Sequence, residues 1–341
     1  MKTILIRTLG GENIGYGHFY RCLSLAKGLI YLNKEINIIF LVNEELKKLL
    51  KDTLFEFRVL NNIEEDLIFI KTIPVDLFIF DSYLGNDVYL KEIKKRTKLM
   101  LIDDNNDLYD SSIPDIINNG NIYAPKLNYK KNNDQICLLG TEYLLMKEEY
   151  WLHNEEKTHK EGIVVTTGGT DPHSTMIKIL SAIKNIGVNI KAIIGPGFPD
   201  SYIKEIENLP IENLEIIYKP NSLKKLIKAA KIVITAGGST VYEVISQKSI
   251  PIIFSIAANQ DLICSSLQEF GVPYLGKAPE IDYLKLNDSL EDYFISNRGK
   301  LAVLESLVTG RGALLVAEEI LRAIGIANNL KNHSEGGVIY G

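Results

Sequence analysis

Short apolar runs alternate with longer amphipathic stretches along most of the chain. A first series of strand-like runs lies at residues 3–7, 36–42, 55–60, 77–80, 98–102, 116–118 and 135–138. A second series lies at 162–167, 189–194, 214–218, 232–235, 251–254 and 273–275. The runs are continuous rather than alternating, which predicts strands buried on both faces. Helical patterns fall between them, at residues 20–32, 174–185, 223–230 and 241–246. That order predicts βαβ units and parallel sheets.

The pattern restarts near residue 161. A polar stretch, 157–161, precedes a strand that ends in Gly168-Gly169-Thr170-Asp171-Pro172. The chain has 341 residues, a length that suits two domains. The expected division is residues 1–155 and 156–326, each a doubly wound α/β domain, followed by a polar tail at 327–341 that frays. Tyr150 and Trp151 are expected to pack the connector. His153 and His159 are expected to be solvated within it. Lys47-Lys48 and Lys94-Lys95-Arg96 read as solvated helix faces.

Composition narrows the functional classes. The chain is 46% hydrophobic and 24% charged, as in globular proteins, with a net charge of −5. That balance argues against a nucleic-acid surface as its main business. No apolar run reaches the roughly 18 residues that cross a bilayer, so no stable membrane insertion is expected. Met1-Lys2-Thr3 leads straight into a strand pattern, so no signal peptide is read. Cys22, Cys137 and Cys264 are odd in number and far apart, which fits the cytoplasm and offers no metal-ligand spacing. No H-x-x-x-H or H-E-x-x-H set occurs, so no metal is expected. No oligomeric state is specified, and a monomer is compatible with the sequence.

Unusual polar residues gather at the strand ends. Asp81-Ser82-Tyr83 ends one strand, Asp103-Asp104 the next, and Gly168–Pro172 and Ala236-Gly237-Gly238-Ser239-Thr240 end two in the second half. Asn259-Gln260 follows the strand at 251–254. Loops at that edge of a parallel sheet form the ligand site. Asp103-Asp104 reads as an acid/base pair, a metal site or a loop cap. Thr240-x-x-Glu243 fits a capping box, yet Glu243 could equally accept from ribose hydroxyls. His173 reads as a surface or helix-capping residue.

The stretch at residues 11–22, GENIGYGHFYRC, joins the first strand to the first helix. Its glycines permit a tight turn, and a helix N-terminus favours bound anions. His18 stands where that turn enters the helix. The spacing is neither a dinucleotide fingerprint nor a P-loop. The turn at Ala236–Thr240 resembles a second anion cradle, with Ser239 or Thr240 able to cap the next helix or offer a hydroxyl to phosphate. His18 in the first turn suggests chemistry beside a bound phosphate.

Gly15-Tyr16-Gly17-His18-Phe19-Tyr20-Arg21-Cys22-Leu23, with Leu25-Ala26, is similar to the G-x-G-H-x-x-R-C-L-x-L-A signature of one family. That family contains the UDP-2,4-diacetamido-2,4,6-trideoxy-β-L-altropyranose hydrolase of pseudaminic acid synthesis and related spore-coat polysaccharide biosynthesis proteins. The likeness continues through Asp81-Ser82-Tyr83, Ile102-Asp103-Asp104, Leu139-Gly140-Thr141-Glu142-Tyr143, Gly168–Pro172, Ala236–Thr240, Asn259-Gln260 and Gly310-Arg311-Gly312-Ala313, over residues 1–325. Gly11-Glu12-Asn13 and Met146-Lys147 depart from the usual family pattern and bear on sugar specificity.

The resemblance implies a GT-B fold, with two Rossmann-like doubly wound domains facing across a cleft and the nucleotide held mainly by the second. It implies kinship with the N-acetylglucosaminyltransferase that makes lipid II. It also implies a UDP-sugar substrate and no cofactor. His18, Tyr83 and Asn259 are its catalytic residues by that likeness. Gly15, Gly17, Arg21, Asp104, Gly169, Thr170, Gly237, Gly238, Ser239, Thr240, Glu243 and Gln260 are the expected substrate-binding set. The implied reaction is hydrolysis at the anomeric carbon with inversion. Rival readings are a GT-B glycosyltransferase and a non-catalytic nucleotide-sugar-binding protein.

Overall fold

The computed structural model describes residues 1–11, 14–152, 158–295, 304 and 306–326. Glu12, Asn13, His153, the start of the connector and the tail at 327–341 lie outside the described residues. Strands β1 (Lys2–Thr8), β2 (Ile36–Val42), β3 (Glu56–Val59), β4 (Leu77–Asp81), β5 (Lys98–Ile102), β6 (Ile116–Asn119) and β7 (Ile136–Leu139) form one sheet. Its order is β3-β2-β1-β4-β5-β6-β7. Strands β8 (Glu161–Thr166), β9 (Ile190–Ile194), β10 (Leu214–Tyr218), β11 (Ala230–Ala236), β12 (Ile250–Ser255) and β13 (Tyr274–Lys277) form the second. Its order is β10-β9-β8-β11-β12-β13. Every pairing is parallel. The strand series are therefore those expected from the apolar runs, to within a few residues.

Two compact units result. Of the described residues, the first comprises those within Met1–Gly120, Ala124–Trp151 and Arg311–Ile326, and the second those within Asn121–Tyr123 and Leu152–Gly310. This differs from the expected division at the C-terminal end. The helix Gly312–Ala323, placed in the second domain by sequence order, belongs to the first unit. It buries Val316, Ala317, Ile320 and Leu321 in the core that also holds Phe19, Leu25, Ala26 and Leu29 of the helix Gly17–Leu32. Each of the larger side chains, such as Val316, Ile320 and Leu321, contributes about 1.5–3 kcal/mol of hydrophobic free energy before ordering costs. Two glycines permit the approach. A Cβ on Gly28 would lie 3.0 Å from the Ala313 carbonyl oxygen, and one on Gly312 would overlap the backbone of Leu144. The Gly310–Ala313 motif therefore seats a helix.

Tyr150 and Trp151 also differ from expectation. Both are buried in the first unit, Trp151 packing with Ala313 and Leu314 and edge-on to Tyr31 at 5.3 Å. Among the described residues, no helix is long and apolar enough to cross a membrane.

Candidate active site

In an open parallel sheet, ligands bind beyond the carboxyl ends of the strands where the strand order reverses. In the first unit that point lies between β1 and β4, whose ends pair Thr8 with Asp81. From β1 the chain passes through the glycine-rich turn into the helix Gly17–Leu32. Gly10 is fixed to the end of β2 by Asn43, whose amide accepts from Gly10 N at 3.3 Å and donates to Gly10 O at 2.7 Å. Gly11 and Gly15 then bond to each other's backbone, at 3.2 and 2.7 Å. Gly15 has φ +80°, a conformation that disfavours a side chain. The helix starts at Gly17, three residues before the expected position, so His18 stands in its first turn and Arg21 one turn on.

These two side chains converge on Asp81. His18 Nδ1 lies 2.6 Å from Asp81 Oδ1. Arg21 Nη2 donates to the same oxygen at 2.6 Å, and Arg21 Nε donates to Oδ2 at 2.7 Å. The buried thiol of Cys22 donates to Oδ2 at 3.3 Å. Arg21 also holds Asp104, through Nη1 at 2.7 Å and Nη2 at 3.1 Å. The result is a row of alternating charge: Asp104, Arg21, Asp81, then His18.

Asp81 is 1% exposed, and burial alone would raise its pKa. The charge of Arg21 and the hydrogen bonds from Arg21 and His18 outweigh burial and hold the carboxyl at about 2. Asp81 is thus an acceptor only, so in the His18–Asp81 hydrogen bond the proton is carried by His18 Nδ1. Burial opposes the charge on Arg21, but Asp81 and Asp104 push its pKa further up. Burial, then the neighbouring Asp81, raises the Cys22 thiol, keeping it protonated as a donor.

His18, Arg21, Asp81, Tyr83 and Asp104 line a small recess open to solvent, with an accessible volume of about 30 Å³. Tyr83 stands edge-on to the His18 ring, with centroids 4.8 Å apart. Its loop is fixed by Tyr109, whose hydroxyl donates to Ser82 O at 2.7 Å. Burial and then Asp104 raise the Tyr83 pKa, so the phenol remains a donor. The adjacent aspartates have separate roles. Asp103 accepts from Asn106 N at 2.7 Å and from the Tyr129 hydroxyl, which is a loop cap. Asp104 is bound to Arg21.

The second unit reverses its strand order between β8 and β11, where Thr166 pairs with Thr235. This register sets the turn at Gly168–Thr170 beside the turn at Gly237–Thr240. Gly168 has φ +96°, and Gly169 O accepts from Gly197 N at 2.9 Å. Asp171 caps the next helix, accepting from Thr175 N at 2.9 Å and Met176 N at 2.8 Å. That role falls to Asp171 rather than His173.

The helix Ser239–Ser246 has Gly238 as its N-cap and no side-chain cap. The capping box expected from Thr240 and Glu243 does not form, because the helix begins before Thr240. Gly237 N donates to Phe254 O at 2.8 Å. A Cβ on Gly237 would overlap Cys264 Sγ. Gly237→Ala is therefore expected to destabilise the unit by roughly 1–3 kcal/mol through overpacking. Adding Cys264→Ala should recover part of that loss in urea unfolding. No recovery would show that another neighbour excludes the side chain.

Gln260 closes the loop after β12, its amide oxygen accepting from Ile256 N at 3.0 Å. Asn259 is exposed beside it, and Glu243 is half-buried one turn into its helix. The first unit thus gathers His18, Arg21, Tyr83 and Asp104 near Gly15 and Gly17. The second gathers Gly169, Thr170, Gly237, Gly238, Ser239, Thr240, Asn259 and Gln260. Arg21, expected in the substrate-binding set, donates through Nε, Nη1 and Nη2 to Asp81 and Asp104. Sequence reading missed Asp81 as a functional residue. Its motif was visible, but its place beside His18 depends on β4 lying next to β1.

Similar solved structures establish the class of fold. MurG of Acinetobacter baumannii has a TM-score of 0.65 at 14% identity, covering 94% of this chain and 100% of that one. Glycosyltransferase VinC in complex with dTDP has 0.68 at 12%, covering 94% and 99%. Arabidopsis thaliana UGT89C1 complexed with UDP has 0.63 at 12%, covering 94% of this chain and 100% of that one. The chain has the GT-B fold, α/β with two Rossmann-like units.

Its curated relatives are more specific. The spore coat polysaccharide biosynthesis protein SpsG of Bacillus subtilis is 28% identical over 252 residues, 69% of this chain and 72% of that protein. The pseudaminic acid cytidylyltransferase and UDP-2,4-diacetamido-2,4,6-trideoxy-β-L-altropyranose hydrolase of Helicobacter pylori is 26% identical over 203 residues. That match covers 58% of this chain and 37% of the relative. An uncharacterized protein of Methanocaldococcus jannaschii is 26% identical over 329 residues, 89% of this chain and 66% of its own length. No protein-family model matches.

Proposed function

We propose that the protein hydrolyses a UDP-sugar at the anomeric C–O bond with inversion. The substrate is a UDP-2,4-diacetamido-2,4,6-trideoxyhexose, with the β-L-altropyranose as the leading candidate. Products are UDP and the free sugar, for nonulosonate synthesis of the pseudaminic acid type. The observation that carries this reading is the His18–Asp81 pair in its row of alternating charges. With His18 neutral, the row from Asp104 to His18 holds one net negative charge. Once His18 takes a second proton, the row is neutral. The site is therefore arranged to receive a proton at His18 Nε2.

The steps follow from that arrangement. Nε2 takes a proton from water as its oxygen attacks the anomeric carbon. Tyr83 and Asn259 orient the water or the sugar. The C–O bond breaks and its electron pair leaves with UDP. Backbone N–H groups of Ser239 and Thr240 at the start of the helix, with the helix dipole, stabilise charge growing on the β-phosphate. Glu243 accepts from the ribose. The hydrolase named in the Helicobacter pylori relative supports both sugar and reaction.

A second reading is a glycosyltransferase, favoured by the kinds of protein that share the fold. There His18 would deprotonate an acceptor hydroxyl instead of water. Incubating the chain with the UDP-sugar and no acceptor separates the two. Steady release of UDP and free sugar in equal amounts is expected. Turnover that requires an added acceptor would establish the transferase.

A further inference from the structure

We propose that Arg21 and Asp104 are positioning residues that set the proton affinity of His18, rather than groups that bind substrate. The inference rests on the reading of His18 as the base. Arg21 Nη2 lies 3.0 Å from His18 Nδ1 because both donate to the same oxygen of Asp81. A full positive charge therefore stands against the imidazole at all times. Unbalanced, it would oppose protonation of His18. Asp104 takes two of the guanidinium's hydrogen bonds and offsets its charge from the far side.

The same bonds fix geometry. Arg21 has a plane with donors on several edges, and it presents Nε and Nη2 to the two oxygens of Asp81. Asp104, on the other edge, stops that plane from rotating. Asp81 is then held in the orientation that points Oδ1 at Nδ1. Its second oxygen takes the Cys22 thiol as well. Of the other groups in the recess, Tyr83 meets the ring edge-on, while Asp103 is engaged by Tyr129 and Asn106. Asp107 and Tyr109 line the same recess.

The proposal makes a prediction of opposite signs. Asp104→Asn leaves Arg21 less balanced and should lower the titration midpoint of His18. Arg21→Gln removes the positive charge and should raise it. Each shift should be on the order of one pH unit. The midpoints are read from imidazole ¹⁵N resonances of the free protein, with His18 assigned by its loss in His18→Asn. The acid limb of kcat/KM should move with the same signs. For Asp104→Asn, kcat should fall roughly 10–100-fold with little change in KM.

Arg21→Gln leaves Asp81 buried with fewer partners and can fail to fold. Asp104→Asn, at the outer end of the row, keeps the test open. Midpoints that stay put, or that move in the same direction in both variants, would overturn the proposal. So would an Asp104→Asn variant altered in KM alone, which would return Asp104 to substrate binding. Absence of UDP release by the unmutated protein would instead overturn the hydrolase reading, while the opposed midpoint shifts would still stand.

Discussion

His18→Ala is expected to slow acceptor-free UDP release by roughly 10²–10⁴-fold, the usual contribution of a positioned general base. The side chain is only 12% exposed, but its ring spans the recess rather than the core. Its removal should therefore leave the thermal midpoint near that of the unmutated protein. His18→Asn should be as slow, because a carboxamide can bond to Asp81 but cannot take a proton from water. UDP should still bind, since the residues proposed to hold it lie in the second unit. An alanine variant within a few-fold of full activity would remove His18 from the mechanism. A variant that lost UDP affinity in proportion to rate would make His18 a binding group.

Asp81→Asn should be nearly as slow and, unlike the histidine variants, unstable. Four hydrogen bonds converge on the two carboxylate oxygens, from His18, from Arg21 twice and from Cys22. An asparagine offers one acceptor oxygen and sets an N–H₂ group against donors on its other side. The side chain is buried, and Arg21 loses a charged partner. A cost of roughly 2–4 kcal/mol is expected. If the asparagine turns its oxygen toward Arg21, its amide meets Nδ1 and favours the other tautomer of His18. The base then lacks its lone pair at Nε2, and a 10²–10⁴-fold loss of rate follows.

The same variant carries a pH signature. The folded-state pKa of Asp81 is lowered to about 2, below the unfolded value of about 3.9. A lowered carboxylate contributes stability that is complete above the unfolded value and is lost as pH falls through the folded one. The stability gap between the unmutated protein and Asp81→Asn should therefore hold from pH 7 to about 4 and narrow between about 4 and 2. Urea midpoints across that range measure it. A gap that widened toward acid would contradict the assignment of Asp81 as the ionised partner.

The fold was largely legible because its signals are local. The apolar runs marked every strand, and the glycine-rich turns marked the strand ends that carry the site. What was hidden depends on which elements lie next to each other. Asp81 and His18 are 63 residues apart, and they meet only because the chain returns from β2 and β3 to place β4 beside β1. The C-terminal helix shows an ordinary amphipathic pattern that does not say which sheet it covers. Gly28 and Gly312 carried the clue, each sited where another backbone comes close. Gly237 has a similar history. Its bare backbone suggested a ligand, yet the Cys264 sulfur beneath it already requires glycine. Arg21 was expected among the substrate-binding residues, and only the fold shows the two carboxylates that flank it.

Hydrolysis in ¹⁸O-labelled water tests the central claim most directly. If His18 directs water to the anomeric carbon, the label appears in the free sugar and none in UDP. Label in the β-phosphate of UDP would mean attack at phosphorus, and the proposed mechanism would be wrong.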